Sequence, residues 1–260
     1  MPLHTLLQPA LDDPAAATLA RDGGRAFVAS ALRPYLIAAL AEADPTAPVL
    51  VVAADDRAAR DLAVDLRAWL SPRAVRFYPS RGVSYESHLA PPPHLVGLRI
   101  AALDALSSYS AARSGHNITP GAESGRAHRR EAPVNPVVVV SAVALSEKVP
   151  DPELRPHGFV IEKGELLDLE ETAQDLVAAG YERVDQVEDR GQFAIRGDIL
   201  DVYPATEERA VRCELFDVEV ERLTWFSTFT QRSLEEAERV EIAPAAELAP
   251  EHRELAEIAA

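Results

Sequence analysis

Apolar positions in the first 150 residues follow two different spacings. Four short apolar runs have the length and the β-branched content of buried strands: 25–30, 49–53, 75–78 and 137–142. Three stretches carry apolar residues at helical spacing: 32–41, 58–70 and 95–106. Strands that alternate with helices form a parallel sheet with helices on its faces. This part of the chain is therefore predicted to be α/β.

The pattern changes after residue 150. Residues 165–179 predict an amphipathic helix that ends at Gly180. Five segments of alternating apolar and polar residues follow, separated by glycine- or proline-containing turns: 181–187, 192–196, 199–203, 211–216 and 220–226. They predict antiparallel strands in a meander. Residues 234–240 and 246–260 are predicted to be helical.

Composition predicts a cytoplasmic protein without a metal site. The only cysteine, Cys213, excludes an internal disulfide, and the seven histidines show no metal-ligand spacing. No stretch of 18 apolar residues is present, and the chain does not open on a basic patch followed by an apolar run. We therefore expect neither export nor a membrane partner.

The negative charge is concentrated in the second part of the chain. Of a net charge of −16, residues 151–260 carry −17, with 11 basic and 28 acidic side chains. Because nucleic-acid affinity comes mainly from cations on phosphates, DNA binding by this part is not expected. Residues 107–136 are predicted to be a surface loop, and its basic residues between Arg113 and Arg130 leave DNA contact open as an alternative.

Nucleotide-binding motifs are absent. A phosphate loop needs glycines, a lysine and a hydroxyl residue between a strand and a helix, and the first such junction has neither glycine nor lysine. The whole sequence has two lysines, Lys148 and Lys163, and no Gly-x-Gly-x-x-Gly follows a predicted strand. We expect no cofactor and no catalytic constellation.

Two segments carry a family resemblance. Residues 191–204, with the sequence GQFAIRGDILDVYP, and residues 211–216, with the sequence VRCELF, resemble the UvrB-homology region of Mfd, the bacterial transcription-repair coupling factor family. The likeness covers about residues 160–247, and a weaker likeness upstream includes Tyr85, Glu86 and Arg99. UvrB itself keeps an ATP site in its first lobe, so the missing phosphate loop favours Mfd.

The resemblance implies a fold of two lobes. Residues 1–150 would form a degenerate P-loop-NTPase-like lobe with a parallel sheet. Residues 151–233 would form an inserted α+β lobe with an antiparallel sheet, and residues 234–260 would return to the first lobe.

It also implies a function. The chain would be a non-catalytic docking module that recruits UvrA to stalled RNA polymerase in nucleotide excision repair. RNA polymerase and DNA would be bound by downstream domains that these 260 residues do not contain.

Four residues are carried over as the UvrA-binding surface. Arg183 and Arg196 would present guanidinium groups, and Phe193 and Ile199 would frame them with apolar contacts. Burial in the core is the alternative for Phe193 and Ile199. An internal salt bridge to Asp198 or Asp201 is the alternative for Arg196.

One departure and one rival accompany these assignments. Ala194 stands where the UvrB pattern has a second basic residue, which makes the basic patch smaller. A different class of function, an α/β enzyme with a small-molecule pocket between the lobes, would place Arg99 and His94 at the edge of that pocket.

Overall fold

The computed structural model describes residues 3–83, 91–114, 135–149 and 151–248. The described residues form two compact units. The first contains those of 1–80, 102–119 and 129–147, and the second those of 81–101 and 148–260.

The first unit is built on a parallel sheet of three strands in the order β1-β3-β2, which confirms the predicted α/β architecture. The strands are β1 (Val49–Ala53), β2 (Val75–Tyr78) and β3 (Val137–Ser141). All five residues of the central strand β3 are buried, as expected for a strand with a neighbour on each side and helices on the sheet.

Seven α-helices are present in the described part of the chain: α1 (Gln8–Leu11), α2 (Pro14–Asp22), α3 (Arg33–Ala43), α4 (Asp56–Leu70), α5 (Pro93–Ser114), α6 (Ala142–Ser146) and α7 (Leu169–Ala178). Helix α4 packs on β2 and β3 and begins at Asp56, two residues before the predicted start. The Asp55 side chain caps it by accepting a hydrogen bond from the Ala58 backbone N–H. Helix α5 extends to Ser114, so the predicted loop 107–136 begins later than expected.

The predicted strand at 25–30 is wrong. Residues 23–29 form no regular element and Ser30–Leu32 is a single 3₁₀ turn. Phe27 is fully exposed, and no neighbouring strand pairs with this stretch in the described residues. An apolar run alone does not make a strand, because a strand needs a partner for its backbone groups.

The second unit contains two sheets. The larger has six strands in the order β10-β9-β8-β7-β6-β5, and the smaller pairs β11 with β4. The strands are β4 (Phe159–Glu162), β5 (Glu182–Arg183), β6 (Gln192–Arg196), β7 (Ile199–Val202), β8 (Ala210–Phe216), β9 (Glu219–Phe226), β10 (Ser233–Glu236) and β11 (Arg239–Ile242). Strands β6 to β10 pair antiparallel, as the predicted meander requires.

Two predictions for this unit are wrong. The two-residue strand β5 pairs parallel to β6, whereas the predicted meander requires an antiparallel pair at this position. Residues 234–240 contribute to two strands and not to a helix, because their backbone groups pair with β9 and β4.

One face of the six-stranded sheet and helix α7 enclose the main core of the second unit. Phe193, Leu200, Cys213 and Leu223 contribute from four strands, and Leu176 contributes from α7. The helix ends at Gly180 as predicted, with φ +90° at the glycine. A Cβ at this position would collide with Ala246, so both the backbone angle and the packing require glycine.

Several sequence-based predictions lie outside the described residues. They concern the loop from 115 to 134, the family-like Tyr85 and Glu86, and the helix after residue 248. The lobe boundaries 1–150, 151–233 and 234–260 stay a prediction.

Candidate functional site

The six-stranded sheet has an outer face opposite its core. On β8, Cys213 and Leu215 point into the core, so the alternating residues Arg212, Glu214 and Phe216 point outward. Side chains of cross-strand partners share a face, which places Ile199 and Asp201 of β7 and Arg196 of β6 on the same side. We call these six residues the outer face.

The outer face is ordered in rows across the strands. In one row Arg196 is paired with Ile199, and Ile199 with Glu214. In the next row Asp201 lies opposite Arg212. Arg196 and Ile199, two of the four residues predicted for partner binding, are therefore direct neighbours.

The buried carboxylate of Asp201 holds two guanidinium groups. Arg212 donates from Nε to Oδ1 at 2.7 Å and from Nη2 to Oδ2 at 2.8 Å, and Arg196 donates from Nη2 to Oδ2 at 2.5 Å. The Asp201 side chain is 1% exposed, whereas that of Arg196 is 46% exposed. The carboxylate is thus hidden beneath a guanidinium that reaches water.

Arg212 is fixed from a second direction. Its guanidinium carbon lies 4.7 Å from the centre of the Phe226 ring, within the range of a cation–π contact. The hydrogen bonds to Asp201 raise the pKa of Arg212 above the ordinary arginine value. Arg212 therefore stays charged and supports the position of Asp201.

Arg196 was assigned two alternative roles by the sequence, and the structure combines them. The internal ion pair to Asp201 forms, and nearly half of the side chain stays accessible. A partner carboxylate can approach the exposed side of the guanidinium while Asp201 keeps its direction fixed.

The other two predicted residues lie elsewhere. Phe193 is completely buried in the main core, so its side chain is not available to a partner. Arg183 is exposed, but its strand partner is Phe193 and not Arg196. Register with the inward-facing Phe193 puts Arg183 on the side of the sheet opposite Arg196, roughly 10 Å away along the strand. The structure does not bring the two arginines together.

Sequence reasoning named Asp201 as one of two possible ion-pair partners of Arg196, but it missed Arg212 as the second guanidinium on that carboxylate. A signal was present, because Arg212, Glu214 and Phe216 recur at every second position of a strand whose other residues are apolar. The partner across the ladder depends on the register of β7 and β8, which the sequence did not reveal.

A second cluster of polar groups lies at the carboxyl end of the parallel sheet, where α/β proteins commonly bind ligands. The Asp56 carboxylate accepts hydrogen bonds from the backbone N–H of Ser80 at 3.1 Å and from the Ser80 hydroxyl. Burial alone raises the pKa of Asp56, but hydrogen bonds from Ser141 and Ser80 outweigh it and lower that pKa below the usual aspartate value. A phosphate would meet a negative charge here.

Arg99, which the enzyme alternative needed, is engaged within the second unit. It is 1% exposed, and its Nε donates to Glu247 Oε1 at 2.8 Å. Arg81 donates to the other oxygen of the same carboxylate at 2.5 Å. The Arg99 guanidinium therefore serves an internal ion pair and presents almost no surface to a ligand.

The described residues contain neither a metal-binding cluster nor a membrane-spanning helix. No cluster of three or more His, Cys, Asp or Glu side chains within the described residues is arranged to hold a metal ion. In the same part of the chain, every helix is too short or too polar to cross a membrane.

Part of the second unit matches a known protein family. Residues 159–248 match the family model of the UvrB interaction domain. The chain is 31% identical over 202 residues to the transcription-repair-coupling factor of Bacillus subtilis, a match that covers 77% of this chain and 15% of that protein. The Escherichia coli factor is 38% identical over 112 residues, covering 43% of this chain and 10% of that protein.

UvrABC system protein B is a second group of relatives. The protein from Carboxydothermus hydrogenoformans is 30% identical over 215 residues, covering 80% of this chain and 30% of that protein. The chain thus spans less than a third of the length of each of these three relatives.

Proposed function

We propose that this chain is a UvrA-docking module of nucleotide excision repair. It carries a match to the UvrB interaction domain and resembles the UvrB-homology region of transcription-repair coupling factors. The domain that matches is a protein-interaction module, and the proposal assigns no catalysis to it. Residues 159–248 supply the docking surface, with Arg196 at its centre and Ile199 beside it.

One observation carries this proposal. Arg196 is a half-exposed guanidinium held on a buried carboxylate, within a region that carries a net charge of −17. Arginine is enriched in interface hot spots because its planar fork can bind a carboxylate through two hydrogen bonds. Because Asp201 already restrains the side chain, less conformational entropy is lost when a partner binds.

The first unit and Arg183 also have roles in this proposal. The first unit is a degenerate nucleotide-binding-like lobe, which is supported by its parallel sheet, the missing phosphate loop and the Asp56 carboxylate at the carboxyl end of the strands. In a longer protein of the transcription-repair-coupling kind, docking would bring UvrA to a stalled RNA polymerase. Arg183 would be a separate, secondary contact, because it is exposed on the edge strand β5 and lies on the side of the sheet opposite Arg196.

The first test is capture of purified UvrA by the immobilised 260-residue chain. We expect saturable binding that competes with soluble chain, because the docking surface is preformed on a rigid sheet. The control is the chain carrying Arg196→Glu, which places a negative charge where the partner carboxylate would approach and should abolish capture. Equal capture by both chains would remove Arg196 from the surface, and no capture by the wild-type chain would refute the proposed function.

A further inference from the structure

Two exposed apolar side chains lie at the end of the outer face. Phe216 is 75% exposed and ends β8, and Leu166 is 72% exposed in the segment that precedes α7. Large side chains at this exposure are ordinary when they are scattered singly. They indicate an interaction site when they lie together beside polar groups.

Backbone pairing brings these two side chains into one row. Phe216 pairs with Glu219 across the β8–β9 hairpin, and Leu166 pairs with Glu219 from the other side. The hydrogen bond from Leu167 N–H to the Val218 carbonyl, at 2.6 Å, fixes the Leu166 segment against the start of β9. Because paired residues share a face, Phe216 and Leu166 flank Glu219 on the same side of the sheet.

The row is continuous with the part of the outer face that contains Arg196. Phe216 follows Glu214 at the next outward position of β8, about 7 Å along the strand. The Leu215 backbone N–H donates to the Asp198 carbonyl at 2.9 Å, so the Arg196–Gly197–Asp198 turn adjoins the strand beside Phe216. Guanidinium and aromatic ring therefore belong to the same end of the same sheet.

Three acidic residues adjoin the apolar pair and form an acidic rim. Asp198, Asp217 and Glu219 are all exposed within this end of the sheet. Asp217 has φ +59° in the hairpin turn, which fixes the turn that presents Phe216. A partner that covers Phe216 must offer an apolar pocket, and basic side chains at the border of that pocket would complement this acidic rim.

We propose that Phe216 and Leu166 are the apolar half of the docking surface, and that UvrA covers them with an apolar pocket bordered by Lys or Arg, beside the carboxylate that meets Arg196. This inference rests on the proposed function and extends it to residues that the family resemblance did not assign. A buried aromatic anchor next to a charge-assisted hydrogen bond is a common composition of an interface hot spot.

The test is titration of UvrA with the 260-residue chain carrying Phe216→Ala, Leu166→Ala or Phe229→Ala. Phe229 is 96% exposed in the turn between β9 and β10, so it is a matched phenylalanine outside the proposed surface. We expect about tenfold weaker binding for Phe216→Ala, a smaller loss for Leu166→Ala, and a change within about twofold for Phe229→Ala. Circular dichroism should show unchanged folding, because all three side chains are exposed.

Three other outcomes would overturn the inference, and each leads to a different conclusion. If Arg196→Ala weakens binding and Phe216→Ala does not, the proposed function stands and the apolar half falls. If the wild-type chain does not bind UvrA, both fall. If the chain dimerises, and Phe216→Ala makes it monomeric without affecting UvrA binding, the patch belongs to a contact between two copies.

Discussion

Arg196 and Asp201 form an ion pair whose two ends differ sharply in exposure, at 46% for the arginine side chain and 1% for the aspartate side chain. The short β6–β7 hairpin brings them together, since Asp201 pairs with Ala194, the outward neighbour of Arg196 on β6. The exposed end has the chemistry of a binding residue and the buried end the chemistry of a support. Asp201 is therefore a positioning residue for Arg196.

Replacement of Asp201 by Asn should separate the two effects of this pair. Asn keeps the size of the side chain but removes the charge that two guanidiniums share, so we expect the free energy of unfolding to fall by about 2 kcal/mol. We also expect UvrA binding to weaken by roughly threefold to tenfold, because Arg196 loses its fixed direction. Denaturant unfolding and calorimetric titration measure the two quantities.

A double-mutant cycle distinguishes positioning from a purely structural role. If Asp201 acts on binding through Arg196, Asp201→Asn should have little further effect on UvrA affinity in a chain that already carries Arg196→Ala. Additive losses of affinity in the double variant would show that Asp201 influences binding by another route.

Cys213 should be unreactive in the folded protein. It is completely buried on β8, and burial, assisted by the charges of Asp201 and Glu165, raises the pKa of its thiol far above the ordinary value. Because the thiolate is the reactive form, a thiol reagent at pH 8 should modify Cys213 only after denaturation. If the native chain were modified at the rate of a free thiol, β8 and the core around Leu200 would have to open readily in the folded protein.

The sequence predicted the elements whose pattern is local. Helical spacing over 58–70 predicted α4, whose start Asp55 caps, and the valine-rich run of β3 is the buried centre of a parallel sheet. Gly180 ends α7 because the required φ is positive. In each case the deciding interaction lies within a few residues along the chain.

The predictions that failed depended on partners distant in sequence. Residues 234–240 have helical composition, but β9 and β4 offer their backbone groups a strand partner. Residues 25–30 have strand composition and no strand beside them in the described parts of the chain. Tertiary pairing overrides local propensity in both cases.

The same distinction applies to the candidate site. The outward direction of Arg196 follows from alternation along β6, and Asp201 was one of the two aspartates named as its possible ion-pair partner. The choice of Asp201 over Asp198, and the support by Arg212, depend on the register of three strands. Ile199 lies beside Arg196 as expected. Phe193 belongs to the core because it alternates inward on β6. A strand residue faces only one side of its sheet, so Phe193 cannot also lie on the outer face.

Isothermal titration calorimetry of UvrA with wild-type, Arg196→Ala and Arg239→Ala chains tests the central claim most directly. Arg239 is the matched control, since its side chain is 50% exposed and ion-paired with Glu162 at 3.4 Å on the smaller sheet. The account predicts that Arg196→Ala loses about 1–3 kcal/mol of binding free energy and that Arg239→Ala loses less than about 0.5 kcal/mol. Equal affinities for the wild-type and Arg196→Ala chains, or equal losses for the two variants, would contradict it.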